Sequence, residues 1–212
     1  LHFSGRWGWP LTDWLAHTGA GVDFQYEWES QPNRFHLQWL NVPAYWIDTK
    51  PVTQGAFAEY LQKNPSALSS DRYHYLKNWN WEKSGQSPKP HAGNETLPVT
   101  YVGLAEARAY CEAVGKRLPR EEEWQFAATG GGDDSRPYPW GDDAPVEGKH
   151  IPKQHSGTVF PGPEPVGTHP AGASPFGVED MTGSVWQMTD ECALHIYLYS
   201  FVFEQRLTFI CT

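Results

Sequence analysis

An irregular, compact α+β domain with few and short helices is the fold class this chain predicts. Three observations carry that expectation. The sequence holds 20 Gly and 18 Pro among its 212 residues, and both interrupt helices. It also holds 11 Trp, 10 Tyr and 10 Phe, enough apolar surface to offset chain entropy, which excludes disorder. Helical spacing of apolar residues is confined to short stretches, with strand-like runs and turn-rich segments between them.

In chain order, residues 1–40 are aromatic-rich without clear periodicity, and the stretch from Phe24 to Trp39 has room for a strand or two. Val42 to Asp48 alternates and is partly β-branched or aromatic, which predicts a strand. Thr53 then stands where it can cap a helix that places Phe57, Tyr60 and Leu61 on one face. Residues 64–96 form a polar loop carrying Trp79 and Trp81, which are read as packing rather than as a ligand groove. Pro98 to Val102 predicts a short strand.

A second helix is expected from Leu104 to Val114, with Leu104, Ala107, Cys111 and Val114 on its apolar face and Gly115 at its end. A third is expected from Glu121 to Thr129. Its three opening acidic residues suit the positive end of the helix dipole better than they suit acid–base catalysis. Trp124, Ala127 and Ala128 are its expected buried face, and Gly130 to Gly132 end it. From Asp133 to about Pro175 the chain is turn-rich. No internal repeat is present.

The formal net charge of -9 and the lack of a basic stripe with interleaved aromatics exclude nucleic acid as a partner. No run of 18 apolar residues is present, so no membrane-spanning helix is expected, and no basic segment followed by an apolar run marks a signal peptide. The sequon Asn94-Glu95-Thr96 leaves a secretory-pathway lumen open beside the cytoplasm. Cys111, Cys192 and Cys211 are too few for a disulfide framework, and the absence of C-x-x-C excludes a zinc site of that type. Cys111, on its helix face, is expected in the core.

Four separated segments resemble, in order, the formylglycine-generating enzyme (sulfatase-modifying factor) family. The first is Trp46-Ile47-Asp48 with Pro51-Val52-Thr53-Gln54-Gly55-Ala56-Phe57. The second runs from Leu97-Pro98-Val99 through Ala107-Arg108-Ala109-Tyr110-Cys111 and Gly115-Lys116-Arg117-Leu118-Pro119 to Glu121-Glu122-Glu123-Trp124. The third is Tyr138-Pro139-Trp140-Gly141-Asp142, and the fourth is Phe176 to Trp186. The resemblance implies a modified C-type-lectin-like fold with little regular secondary structure. It places the family-like domain at 41–192, with 1–40 as its N-terminal part or an extension and 193–212 as a divergent apolar tail.

What the resemblance implies about activity is branched, and fold alone does not choose the branch. Members include oxygen-dependent oxidases that generate formylglycine in sulfatases, holding copper through two late cysteines that follow an Arg-Gly-Gly-Ser segment. Others are the catalytic domains of iron-dependent sulfoxide synthases that form C–S bonds in ergothioneine and ovothiol synthesis. Nothing after Asp190 resembles the Arg-Gly-Gly-Ser segment, so the catalytic end is expected to be missing from this chain. Cys192 and Cys211 have neither the spacing nor the neighbours of the family pair, although two thiolates suit Cu(I). Nine histidines are present, including His150 and His155 in one loop, but no His-x-x-x-His pair falls on an expected helix.

The resemblance also implies a structural calcium at the fourth segment. Carried over by residue, its ligands are Asp180, the carbonyls of Gly183 and Val185, and Gln187, an oxygen set that calcium accepts. Gln187 stands where the family usually has Glu, Ser184 where it has Asn, and Met188 where it has Trp. The competing reading is a glycine turn that packs Trp186 into the core. A second calcium loop maps to His150, Ile151, Thr158 and Phe160, with Thr158 in place of the family's Asp.

Two functions follow as expectations. One is an oxidoreductase domain acting on a protein or a small thiol. The other is a non-catalytic, lectin-like module that recognises a peptide or protein partner.

Overall fold

The computed structural model describes residues 2–10, 37–69, 74–81, 87–131, 136–153, 162–190 and 207–212. Among them the order is β1 (His2–Pro10), β2 (Leu37–Trp46), α1 (Gln54–Lys63), a 3-10 turn (Pro65–Ala67), α2 (Leu104–Ala113), α3 (Glu121–Thr129), a 3-10 turn (Pro170–Gly172), β3 (Trp186–Met188) and β4 (Leu207–Phe209). Helix and strand are thus mixed, and little of the chain is regular.

β1 and β2 pair antiparallel, with His2 opposite Trp46 and Pro10 opposite Leu37. The register slips between Phe3 and Gly5. Pro43 stands opposite that slip, and it has no N–H to give to the ladder. β2 starts earlier than the expected strand at Val42, within the Phe24–Trp39 stretch. Residues 24–36 of that stretch lie outside the described residues.

Local sequence sets the helix ends. The Ala56 N–H donates to Thr53 Oγ1 at 3.1 Å, capping α1 as expected. Phe57, Tyr60 and Leu61 are buried beneath it. α2 stops at Ala113, and Gly115 turns the chain at φ +74°. Val114, expected on the apolar face, is 47% exposed because it sits past the last helical residue. Tyr110 takes that place in the core.

At α3, Glu123 Oε2 accepts the Arg120 N–H at 2.8 Å, and its two oxygens accept from Arg117 Nη1 and Nη2 at 2.7 and 2.6 Å. The acidic opening therefore serves the helix end, as its sequence suggests. Phe126 is buried with Ala127 and Ala128, while Trp124 is half-buried.

The expected strand at Pro98–Val102 does not form. Pro98 makes one isolated bridge to Thr53, the Val99 N–H donates to the Val52 carbonyl at 2.9 Å, and Tyr101 at φ +60° turns the chain away. Trp79 is buried edge-on against Phe57, and the Trp81 indole N–H donates to the Leu76 carbonyl. Both are packing residues, as expected.

The core has two parts. One gathers Phe57, Leu61, Leu76, Trp79, Val99, Tyr110, Leu118 and Met188, and the other Val42, Tyr45, Ile47, Phe126, Val178 and Met181. The chain's last residues join both. β4 pairs parallel with β3, Trp186 opposite Leu207 and Met188 opposite Phe209. Phe209 enters the first part and Ile210 the second, as alternation along an extended chain requires. The Phe209 and Cys211 carbonyls accept from the Val52 and Asp48 N–H groups, and Thr212 exchanges two backbone hydrogen bonds with Arg117. The segment 207–212, read from sequence as part of an unrelated apolar tail, is an integral piece of the core.

Cys111 is buried as expected, but it is also bonded. A disulfide joins Cys111 on α2 to Cys211, 100 positions on, with Cα atoms 5.7 Å apart. The reading of three cysteines as too few for a disulfide framework is corrected by this bond. So is any thiolate pair of Cys192 with Cys211, since Cys211 is bonded to Cys111. Cys192 itself lies outside the described residues. No helix among the described residues is long and apolar enough to cross a membrane.

Candidate functional site

The fourth segment folds as a tight, irregular turn between the core and β3. Asp180 opens it at φ +58°, a left-handed conformation that Asp tolerates better than most residues. Its carboxylate Oδ2 accepts the Gly167 N–H at 2.6 Å. Burial pushes the Asp180 carboxyl above its usual range, and the Gly167 hydrogen bond acts against that rise. Next to it, the Glu179 N–H donates to the Thr49 carbonyl, and the Glu179 carboxylate lies 3.5 Å from Lys50 Nζ.

Gly183 lies farther along the turn at φ +89°. A Cβ there would stand 2.9 Å from Ile151 Cβ, so the turn is seated directly on the 147–151 loop. The third segment packs against that loop. The Tyr138 and Trp140 rings stack at 5.0 Å, and the Trp140 ring stacks on buried His150 at 4.8 Å. His150 Nδ1 accepts the Val146 N–H at 3.2 Å, which puts the ring proton on Nε2. A Cβ on Gly172 would collide with the His150 carbonyl. The two loops expected from the resemblance to hold calcium are therefore neighbours. Thr158 and Phe160 of the second lie outside the described residues, as does His155.

Gln187, on β3, closes the turn. Its Oε1 accepts the Trp124 indole N–H at 2.8 Å, and its Nε2 donates to the Asp180 carbonyl at 2.9 Å. The structure thus brings Asp180 and Gln187 into contact, with Gly183 and Val185 on the chain between them. A calcium site needs oxygens turned toward one shared point. Gln187 instead turns an NH₂ group toward the turn and its oxygen toward α3, so it does not fit the ligand role that the resemblance gives it. Trp186, which the glycine-turn reading buries, is 73% exposed; the turn sends Met188 into the core in its place.

Among the described residues, no three His, Cys, Asp or Glu side chains converge as a metal site, and Cys211 is held in its disulfide. The described residues therefore offer no ligand set for copper or iron. Trp124 is the site residue that sequence reasoning missed. It was legible only as an apolar position of α3, because its partner lies 63 residues further along the chain.

Residues 19–207 match the family described as "Sulfatase-modifying factor enzyme 1-like domain". The chain belongs to this family. Among curated relatives of this sulfatase-modifying-factor-like domain, hercynine oxygenase of Mycobacterium tuberculosis is 32% identical over 190 residues, covering 80% of this chain and 43% of the relative. Inactive C-alpha-formylglycine-generating enzyme 2 of Bos taurus is 40% identical over 99 residues, covering 44% of this chain and 32% of that protein. The chain spans less than half the length of both. Among solved structures, PvdO from Pseudomonas aeruginosa matches with a TM-score of 0.57 at 19% identity, over 94% of this chain and 73% of that one. That likeness speaks to the fold alone.

Proposed function

We propose that this domain is the sulfatase-modifying-factor-like part of an oxygen-using oxidoreductase, of the kind that couples oxidation of a hercynine-like betaine to a small thiol in an iron-dependent C–S bond formation. The observation that carries the reading is the extent of the likeness to hercynine oxygenase, which runs along 80% of this chain. The metal in this reading is held by residues outside the described ones, here or elsewhere in a longer protein. The described residues serve as scaffold: the disulfide and β4 brace the core, and the interlocked third and fourth segments set the loops around a substrate. The short helices, the two-stranded sheets and the ordered loops among the described residues support a modified C-type-lectin-like label for this scaffold.

The test is oxygen uptake by the full-length protein loaded with iron(II), with hercynine and cysteine supplied together and each left out in turn. Uptake that needs both substrates supports the proposal. Iron that binds without substrate-dependent uptake overturns it, and copper(I) in place of iron then tests the formylglycine branch with a cysteine peptide.

A second reading is a binding module that recognises a peptide or protein partner without chemistry. The likeness to a formylglycine-generating paralogue whose name marks it inactive supports it. It gains if neither metal binds.

A further inference from the structure

Asp180 offers two acceptors at this turn, its carbonyl and its carboxylate, and the chain supplies a donor to both. The Asp180 carbonyl receives Gln187 Nε2–H at 2.9 Å, and the Asp180 carboxylate receives the Gly167 N–H at 2.6 Å. Converging acceptors in a turn are held either by a cation or by N–H groups. The orientation of one amide decides between these, and chemistry fixes that orientation. The Trp124 indole nitrogen only donates, and a backbone carbonyl only accepts. Gln187 Oε1 must therefore face Trp124, and its NH₂ must face Asp180. Turning the amide to offer its oxygen to a cation would set NH₂ against an indole N–H at 2.8 Å and strip the Asp180 carbonyl of its donor. Asp180 at φ +58° costs backbone energy, and a hydrogen bond to its carbonyl and another to its carboxylate hold it there.

We infer that the Gln187 amide takes the place of a structural cation in this turn, so that the domain folds independently of calcium. Gln187 and Trp124 together determine this. A carboxylate at position 187 would still accept from Trp124 with one oxygen. Its other oxygen would face the Asp180 carbonyl, acceptor against acceptor, which is repulsive until a cation bridges them. A single change, Gln187→Glu, therefore converts a locked turn into a calcium-dependent one. The inference rests on side-chain geometry and is independent of the proposed oxidoreductase activity.

The experiment compares the protein with its Gln187→Glu variant. Each is melted in EDTA and in calcium chloride, and calcium is titrated calorimetrically. The unmodified protein should melt at the same temperature in both buffers and give no saturable heat. Gln187→Glu should melt lower than the parent in EDTA. It should gain about 5–10 °C in calcium a hundredfold above its Kd. Gln187→Leu should melt lower and ignore calcium. A saturable calcium heat with a raised melting temperature in the unmodified protein overturns the inference. A folded Gln187→Glu variant indifferent to calcium overturns it too. If that variant folds in neither buffer, the conversion is refuted, and the titration of the unmodified protein still decides calcium independence.

Discussion

Phe209, the last residue of β4, and Ile210, the residue after it, enter different halves of the core. Phe209 packs edge-on against Phe57 and Tyr110 at 6.2 and 5.5 Å, while Ile210 joins Val42, Tyr45 and Phe126. Both are fully buried. The final residues thus knit together parts of the chain that begin more than 150 positions earlier, and several consequences can be measured.

Phe209→Ala should lose about 3–5 kcal/mol in urea denaturation, the range for removing a fully buried ring and leaving a cavity. Trp186→Ala, on the neighbouring strand but 73% exposed, should fall within about 0.5 kcal/mol of the parent.

The Cys111–Cys211 bridge closes a loop with a sequence separation of 100. In the chain-entropy account, a loop of this length stabilises by about 4–5 kcal/mol. The Cys111→Ala, Cys211→Ala double variant should therefore melt roughly 10 °C lower at this chain length. The parent in strong reductant should approach the same value, and the double variant should not respond to reductant.

Glu123 carries a pH signature. Burial by itself raises its pKa, but the Arg117 and Arg120 hydrogen bonds and both positive charges outweigh that and hold it below the usual 4.5. A carboxyl lowered on folding stabilises the protein above the unfolded value, and that stability is lost as pH falls through the folded one. Denaturation midpoints should decline below about pH 4.5, and Glu123→Gln should flatten that limb. The same substitution should cost about 2–3 kcal/mol at neutral pH, because Arg117 and the Arg120 N–H lose a charged acceptor.

Gly183→Ala should cost about 1–3 kcal/mol, since the residue sits at φ +89° and a Cβ would press on Ile151. Gly115→Ala, at φ +74° with open space around it, should cost only the backbone part, about 1 kcal/mol. Thermal melts of the pair separate strain from collision.

What the sequence alone determined is local. Thr53, Gly115, Gly130 and the acidic start of α3 mark helix ends because caps and dipoles act within one turn. The ordered segments from Trp46 to Trp186 place the chain in its family because they are read directly as residues. Tertiary structure decided the rest. Pairing Cys111 with Cys211 needs contact across 100 positions. A strand at 207–209 exists only because Trp186 to Met188 is there to receive it, whereas Pro98 to Val102, with strand-like composition, makes only an isolated bridge to Thr53 before Tyr101 at φ +60° turns the chain away. Gln187 reads as a weakened calcium ligand in one dimension. Only the fold brings it the Trp124 indole, and a donor that cannot accept decides which way the amide must point.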